Sequence, residues 1–533
     1  MFMPPFSPSI TISNLSWSTP DGRAVLSGLD LNFQPERAGI VGRNGAGKST
    51  LLRLLTGELT PAAGNIAIDG SIAMLRQTVQ VTAHESIADL FGARDGLALL
   101  RKAEAGEASV EEIGDADWTL DARIAEALAS VGLPLPADTP LAHLSGGQRT
   151  RAALAGAMFA APHFLLLDEP TNNLDRQGRD AVRDLLRGWR GGAIIVSHDR
   201  ELLEEMDAIV EMTSLGAARY GGGWSAYRAR KEIEQAAAEA ELAGAEKRVD
   251  AGQRQAQAAT EKQDRRDSRG RGKADRGGMP KILLGARKRR AEETRAAGSR
   301  LAERHRGDAE EQRAAAREKI EIVDPLSVGL PSTDLPASRT VLAVDLVSVG
   351  YAENRPVIEG LSLTITGPER VAITGPNGSG KSTLLALIAG TLAPWSGQVR
   401  VGVPFALFDQ RVSLLDPALS IADNFLRLNP GTTNNQCRAA LARFRFRADA
   451  ADQIVGTLSG GQTLRGGLAC VLGAPAPPQL LILDEPGNHL DIESLTAVET
   501  GLAAYDGALL VVSHDSAFLD AIGITRTVEL DRT

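Results

Sequence analysis

The sequence predicts an α/β fold built twice: two P-loop domains joined by a long α-helical hairpin. Three observations predict it. Gly42-Arg43-Asn44-Gly45-Ala46-Gly47-Lys48-Ser49-Thr50 and Gly375-Pro376-Asn377-Gly378-Ser379-Gly380-Lys381-Ser382-Thr383 both fit the phosphate-cradling pattern G-x-x-x-x-G-K-[ST]. Each is followed, in the same order, by a Gln, an LSGGQ, a DEP and an SHD. The spacing repeats as well: Lys48 to Gln77 and Lys381 to Gln410 both span 29 residues, and Asp168 to His198 and Asp484 to His514 both span 30. Five motifs in order, twice, mark an internal duplication rather than coincidence. The first copy carries 19 more residues than the second between its Gln and its signature serine.

Residues 8–222 form the first P-loop domain. Ile10-Thr11-Ile12-Ser13-Asn14-Leu15 alternates as an edge strand would. The apolar runs Ala38–Val41, Phe164–Leu167 and Ala193–Val196 each end at a motif. They predict buried parallel strands whose C-terminal ends carry the chemistry. Residues 340–533 repeat the design with Arg370–Thr374, Leu480–Leu483 and Leu509–Val512. Between the copies, residues 223–322 are rich in Ala, Glu, Lys, Arg and Gln, which favour helix. Helical stretches at about 224–263 and 281–320 flank a breaker segment with Gly270, Gly272, Gly277, Gly278 and Pro280. Two helices of that length, each roughly 60 Å long, predict a slender antiparallel hairpin. Residues 323–339, with Pro325, Pro331 and Pro336, form the return linker.

With 43% hydrophobic and 23% charged residues, the chain has an ordinary globular composition. Its apolar runs fall far short of the roughly 18 residues that span a bilayer. The N-terminus lacks a basic start and a long apolar stretch, so a cytoplasmic location is expected. Cys437 and Cys470, without metal-ligand spacing, fit a reducing compartment and a packing role. Net charge is −9, but residues 262–306 carry sixteen Lys or Arg against six Asp or Glu. A basic segment on an acidic body is the asymmetry of a localised polyanion contact.

The chemistry follows from residue type. Glycines let backbone N–H groups point at phosphates, assisted by the following helix N-terminus. Lys48 and Lys381 add positive charge, and Ser49 and Ser382 offer hydroxyls to Mg2+. Asp168 and Asp484, at the ends of apolar strands, support the metal partly through water. Glu169 and Glu485 follow immediately and are placed to orient a water and accept its proton. Gln77 and Gln410 suit contacts to metal and water. His198 and His514 are placed to hydrogen-bond the transferred phosphate.

Together these residues resemble the ATP-binding cassette superfamily. The whole chain resembles its ABC-F branch: twin cassettes, no membrane domain and a charged helical linker of about a hundred residues. Asp168-Glu169-Pro170-Thr171-Asn172-Asn173-Leu174-Asp175 and Asp484-Glu485-Pro486-Gly487-Asn488-His489-Leu490-Asp491 are close to that branch's DEPTNHLD, with Asn173 replacing His and Gly487 replacing Thr. The resemblance implies that cassettes close head to tail around two ATP molecules, each LSGGQ capping the nucleotide of the other cassette. Lys48, Gln77, Asp168, Glu169 and His198 would then work with Ser459, Gly460, Gly461 and Gln462. Lys381, Gln410, Asp484, Glu485 and His514 would work with Ser145, Gly146, Gly147 and Gln148. Both sites keep every catalytic residue, so two hydrolytic sites are expected. Tyr351 would stack on adenine in the second cassette. The first has Thr19 at that position; Trp17, two residues earlier on the same strand face, is either a substitute for the aromatic or a half-buried strand residue.

The resemblance further implies an ATP-gated partner of the ribosome, acting in translation regulation or in ribosome protection against antibiotics, bound as a monomer at the tRNA exit site with the linker reaching toward tRNA and rRNA. The basic linker residues suit phosphate contacts along folded RNA. The candidates are Arg265, Arg266, Arg269, Arg271, Lys273, Arg276, Lys281, Arg287, Lys288, Arg289 and Arg290. Competing readings are the ATPase subunit of a separate membrane transporter, which leaves the basic insert without a use, and a DNA-maintenance ATPase. The second usually carries zinc-binding cysteines or far longer coiled coils, both absent from the sequence.

Overall fold

A computed structural model describes residues 7–75, 85–213, 216–274, 307, 329–352, 355–488 and 490–531. The chain divides into two compact units, Met1–Ser225 with Leu326–Thr533, and Ala226–Pro325. The first unit contains both copies of the repeat.

In the first copy, β1 (Ser9–Ser18), β2 (Ala24–Phe33), β3 (Arg37–Gly42), α1 (Lys48–Leu55), β4 (Ala63–Asp69) and β5 (Ile72–Leu75) lead into a helical region. Its helices are α2 (Ile87–Leu90), α3 (Arg94–Glu104), α4 (Val110–Asp115), α5 (Leu120–Ser130) and α6 (Gly146–Phe159). The chain then returns through β6 (Phe164–Asp168), α7 (Arg176–Gly188), β7 (Gly192–Val196), α8 (Arg200–Glu204), β8 (Ala208–Thr213) and β9 (Gly216–Gly221). One sheet has the order β5-β6-β7-β3-β8-β9, parallel except for the last pair; the other, β2-β1-β4, is antiparallel. Strand β1 is therefore central, not an edge. Its alternation reports one face turned to the core, which an antiparallel strand shows whether or not it has two neighbours.

The parallel strands are buried because both faces are covered. Every residue of β6 and β7 is buried. Leu166, Ile194 and Val196 pack with Ile10, Phe33, Ile40 and Leu52 in one core between the two sheets and α1. Each fully buried aliphatic side chain of this kind contributes about 1.5–3 kcal/mol. The added length between Gln77 and Ser145 includes α4, which is capped by its own box. Ser109 N donates to Glu112 Oε2 at 2.7 Å, and Glu112 N donates to Ser109 Oγ at 3.3 Å.

The second copy repeats the order with β10 (Thr340–Val349), β11 (Ile358–Thr366), β12 (Arg370–Thr374), α10 (Lys381–Ile388), β13 (Ser396–Val401) and β14 (Phe405–Phe408). After these come α11 (Ile421–Leu428), α12 (Asn434–Arg443), α13 (Gly460–Leu472), β15 (Leu480–Asp484), α14 (Ile492–Ala503), β16 (Ala508–Val512), α15 (Ser516–Ala521) and β17 (Arg526–Glu529). Its parallel sheet runs β14-β15-β16-β12-β17 and its antiparallel sheet β11-β10-β13. Both cysteines are free and buried in its core.

Among the described residues between the copies, a 51-residue helix, α9, spans Trp224–Ala274. It is longer than the expected 224–263 and runs through Gly270 and Gly272. Each glycine costs only about 1 kcal/mol in a helix, too little to stop a stretch of Arg, Lys and Gln. Surface pairs at four-residue spacing support the early turns, Arg228 with Glu232 at 3.2 Å and Arg230 with Glu234 at 3.4 Å. Arg265, Arg266, Arg269, Arg271 and Lys273 fall on α9. Arg276, Lys281, Arg287, Lys288, Arg289 and Arg290 lie outside the described residues, as does the 281–320 stretch apart from Gly307. No helix among the described residues is long and apolar enough to cross a membrane.

Candidate active site

Each phosphate loop links the C-terminal end of a buried parallel strand, β3 or β12, to the first turn of a helix, α1 or α10. A glycine is required at its start. Gly42 and Gly375 have φ of 150° and 135°, and a Cβ there would lie 2.3 Å from the Met212 carbonyl oxygen or 2.2 Å from that of Leu530. The lysines at the helix starts are buried, 7% exposed for Lys48 and 8% for Lys381. Lys48 Nζ donates to the carbonyls of Gly42 and Arg43 at 2.6 and 3.0 Å. Lys381 Nζ repeats this with Gly375 and Pro376 at 2.7 and 3.0 Å. Burial lowers the Lys48 pKa, opposed by the Glu169, Asp491 and Asp168 carboxylates.

Ser49 Oγ donates to Asp168 Oδ1 at 3.2 Å, and Ser382 Oγ to Asp484 Oδ2 at 3.4 Å. Thr50 and Thr383 follow in the same first turns. A hydroxyl and a carboxylate side by side at the mouth of a phosphate loop make an oxygen donor set that suits Mg2+ shared with phosphates. Gln410 is exposed two residues beyond β14, whose Phe408 pairs with Leu483 at the end of β15. Gln77 lies outside the described residues, as does His489.

Glu169 and Glu485 leave their strands in the left-handed region, with φ of 51° and 48°. Non-glycine residues held there are strained. The turn is fixed from the neighbouring strand: Glu169 N donates to Val196 O at 2.9 Å and Glu485 N to Val512 O at 2.8 Å. Burial raises both carboxyls, Glu169 to about 8 and Glu485 to about 7. After desolvation, the largest influence on Glu485 is the opposing cation of Arg179, which belongs to the first cassette. Burial also lowers His198 to about 3 and His514 to about 4. At neutral pH the imidazoles are therefore uncharged. His198 Nε2 lies 3.3 Å from Glu169 Oε1, and His514 Nε2 lies 3.5 Å from Glu485 Oε1.

The signature serines begin helices. Ser145 Oγ accepts from Gln148 N at 3.3 Å while Gln148 Oε1 accepts from Ser145 N at 2.9 Å. Ser459 and Gln462 form the same box at 3.3 and 3.0 Å. Gly146 and Gly460 have open space where a side chain would project. A Cβ on Gly147 would lie 3.9 Å from Asn377 Nδ2, so the first signature stands beside the second phosphate loop. A Cβ on Gly461 would meet Ser494 Oγ at 2.4 Å.

The two cassettes meet reciprocally. Asp491 caps α14 by accepting from Ser494 N at 2.8 Å, and its other oxygen accepts from Asn44 N of the opposite phosphate loop at 2.8 Å. Asp175 caps α7 through Gly178 N at 3.0 Å and accepts from Asn377 N at 3.0 Å. Asn377 Nδ2 adds a bond to Asn173 O at 3.2 Å. Sequence reasoning quoted these aspartates but gave them no role. Their signal was the repeat itself, which places each as the last residue of its acidic motif. It also passed over Arg43, which pairs with Glu493, and Arg200, which pairs with Glu499.

Tyr351 is 72% exposed, and its hydroxyl lies 3.2 Å from Thr383 Oγ1 beside the second phosphate loop. Trp17 is partly buried against the core of the first cassette and pairs with Leu26, as Val349 pairs with Ile358. That places Trp17 in the strand position that Val349 occupies in the second copy.

The fold and its paired phosphate loops define a twin ATP-binding cassette ATPase, and comparison agrees. The family described as ABC transporter matches residues 26–172 and 358–488. The chain is 35% identical over 537 residues to the tylosin resistance ATP-binding protein TlrC of Streptomyces fradiae, covering 93% of this chain and 92% of that one. It is 31% identical to the energy-dependent translational throttle protein EttA of Mycobacterium tuberculosis, over 93% of this chain and 87% of EttA. ABC transporter F family member 5 of Arabidopsis thaliana matches at 29%, over 93% and 71%. Among solved structures, an archaeal ribosome recycling factor aABCE1, in complex with the ribosomal stalk protein aP1, shares the fold at a TM-score of 0.56 and 19% identity, covering 97% of this chain and 87% of that one. The chain belongs to the ABC-F family of ATP-binding cassette proteins.

Proposed function

We propose that this protein is an ATP-gated ribosome-binding factor of the cytoplasm, acting as a monomer through two composite ATP sites. The observation that carries the reading is the reciprocal contact of each phosphate loop with the capping aspartate of the other cassette, Asn44 with Asp491 and Asn377 with Asp175. Such an arrangement makes each site depend on both cassettes, so nucleotide occupancy and cassette closure are one equilibrium. Support for the partner comes from the basic linker sequence and from relatives named for translational throttling and tylosin resistance.

In this reading Lys48 and Lys381, with the loop N–H groups, hold the β- and γ-phosphates. Ser49 with Asp168, and Ser382 with Asp484, would hold Mg2+, with Gln77 and Gln410 as further candidates for contacts to metal and water. When bound, Mg2+ would supply charge neutralisation for the phosphates. Glu169 and Glu485 orient water and accept its proton, and His198 and His514 hydrogen-bond the γ-phosphate. Ser459, Gly460, Gly461 and Gln462 close the first site; Ser145, Gly146, Gly147 and Gln148 close the second. Tyr351 stacks on adenine in the second site. The closed form docks at the tRNA exit site, with the basic residues of the 265–290 segment on rRNA and tRNA, and hydrolysis releases it.

The test is recovery of the tagged E169Q/E485Q protein from lysate with ATP and with ADP, with and without ribonuclease. Ribosomal RNA recovered with ATP, and lost with ADP or ribonuclease, is the expected result. Recovery of DNA or of a membrane protein insensitive to ribonuclease would contradict the proposal.

A further inference from the structure

The two seams between the cassettes differ in charge although they share the same aspartate contact. At the first seam, the phosphate loop and the His198 loop of cassette one meet α14 of cassette two. Arg43 pairs there with Glu493, which also accepts from Arg445 Nη1 at 3.2 Å. Two residues beyond His198, Arg200 makes a two-pronged pair with Glu499, Nη1 to Oε1 at 2.7 Å and Nη2 to Oε2 at 3.1 Å. This pair is nearly closed to water, with side chains 13% and 10% exposed. In this partly dry position a forked arginine–carboxylate pair is strong and geometrically restrictive.

The repeat puts Pro376 and Gln177 where the first pair stands, and Ser516 and Arg183 where the second stands. Neither set forms the equivalent ion pair. Arg183 is instead bound to Glu201 and Asp180 of its own cassette, and Ser516 Oγ reaches across to Glu201.

Resting on the composite-site reading above, we propose that Arg200, anchored by Glu499, is a positioning residue for hydrolysis at the first site. Arg200 opens α8 directly after the loop that carries His198, and Asp199 caps that helix by accepting from Glu201 N and Leu202 N at 3.0 and 3.1 Å. The fork therefore ties the His198 loop to the opposite cassette and makes its placement against Glu169 depend on closure. At the second site Ser516 makes only a single hydroxyl–carboxylate bond to Glu201 in place of the charged fork. Misplacing a catalytic group by about 1 Å can cost on the order of a hundredfold in rate, so the tether acts on turnover rather than on nucleotide affinity.

The test uses full-length protein with one live site at a time: E485Q leaves the first, E169Q the second. R200S, which installs the residue found at position 516, is expected to lower first-site kcat by about tenfold or more with KM for ATP within about twofold. Second-site turnover should stay within about twofold. The charge exchange R200E/E499R should restore at least about half of the lost first-site rate, which a generally damaged fold would not. In nucleotide-free protein, R200S should speed amide hydrogen exchange in both 197–204 and 492–503, and the exchange variant should reverse it. Equal losses at the two sites, or unchanged exchange in those segments, would overturn the tether. If neither single-site parent turns over ATP, the composite-site reading fails, and hydrogen exchange still decides the tether.

Discussion

Glu169 and Glu485 show what burial does to a carboxylate placed just past an apolar strand. Both sit in the left-handed region behind a buried strand, and desolvation holds their protons to about pH 8 and 7. If each orients water and accepts its proton, E169Q and E485Q together should reduce ATP turnover by about a hundredfold or more, measured by steady-state phosphate release, while ATP binding persists. The same burial makes a stability prediction for nucleotide-free protein. The folded state keeps a proton on Glu169 that the unfolded chain releases above about 4.5, so this group costs stability progressively from about pH 4.5 to 8 and no further beyond. E169Q carries no such titration. Its melting temperature relative to the parent should therefore rise between pH 5 and pH 8, by about 2 °C or more; a constant difference would contradict the burial account. His198 runs the other way: its depressed pKa costs stability as pH falls from about 6.5 toward 3. The nearness of Lys48, Ser49, Asp168, Glu169 and His198 was legible because each stands at the C-terminal end of a buried parallel strand or the helix after it. The pairing of Arg43 with Glu493 was not, since Arg43 occupies a position where the motif accepts any residue.

At the scale of elements, Asp175 and Asp491 each end one helix and touch the other cassette's phosphate loop. Replacing an N-cap aspartate with alanine typically costs about 1 kcal/mol. D491A should therefore lower stability by about that amount and also weaken ATP binding at the first site more than at the second, read by nucleotide titration of the single-site proteins. Equal weakening at both sites would break the pairing of Asn44 with Asp491. The strands β3, β6 and β7 were legible because continuous apolar runs are rare outside doubly covered sheets. The central place of β1 was not, because alternation encodes a buried face and not the number of neighbours. The length of α9 exceeded expectation because helix propensity over many residues outweighs two glycines.

At the scale of the molecule, duplication explains both the likeness and the difference of the two sites. Motif residues recur in the same order, and each phosphate loop meets the capping aspartate of the other cassette alike. Seam residues have diverged, leaving the Arg200–Glu499 ion pair on one side and a Ser516–Glu201 hydrogen bond on the other. The motifs announce the shared chemistry, whereas the asymmetry emerges only when residues roughly 300 positions apart are brought together by the fold.

The central claim, that ATP occupancy of both sites gates a ribosome-bound state, is tested most directly by sucrose-gradient sedimentation of the E169Q/E485Q protein in lysate, with ATP and with ADP. Co-migration with ribosomes in ATP alone, weakened when the Lys and Arg residues of the 265–290 segment are neutralised, is the predicted result. Absence from every ribosomal fraction at low and moderate salt, or equal co-migration in ATP and ADP, would contradict it.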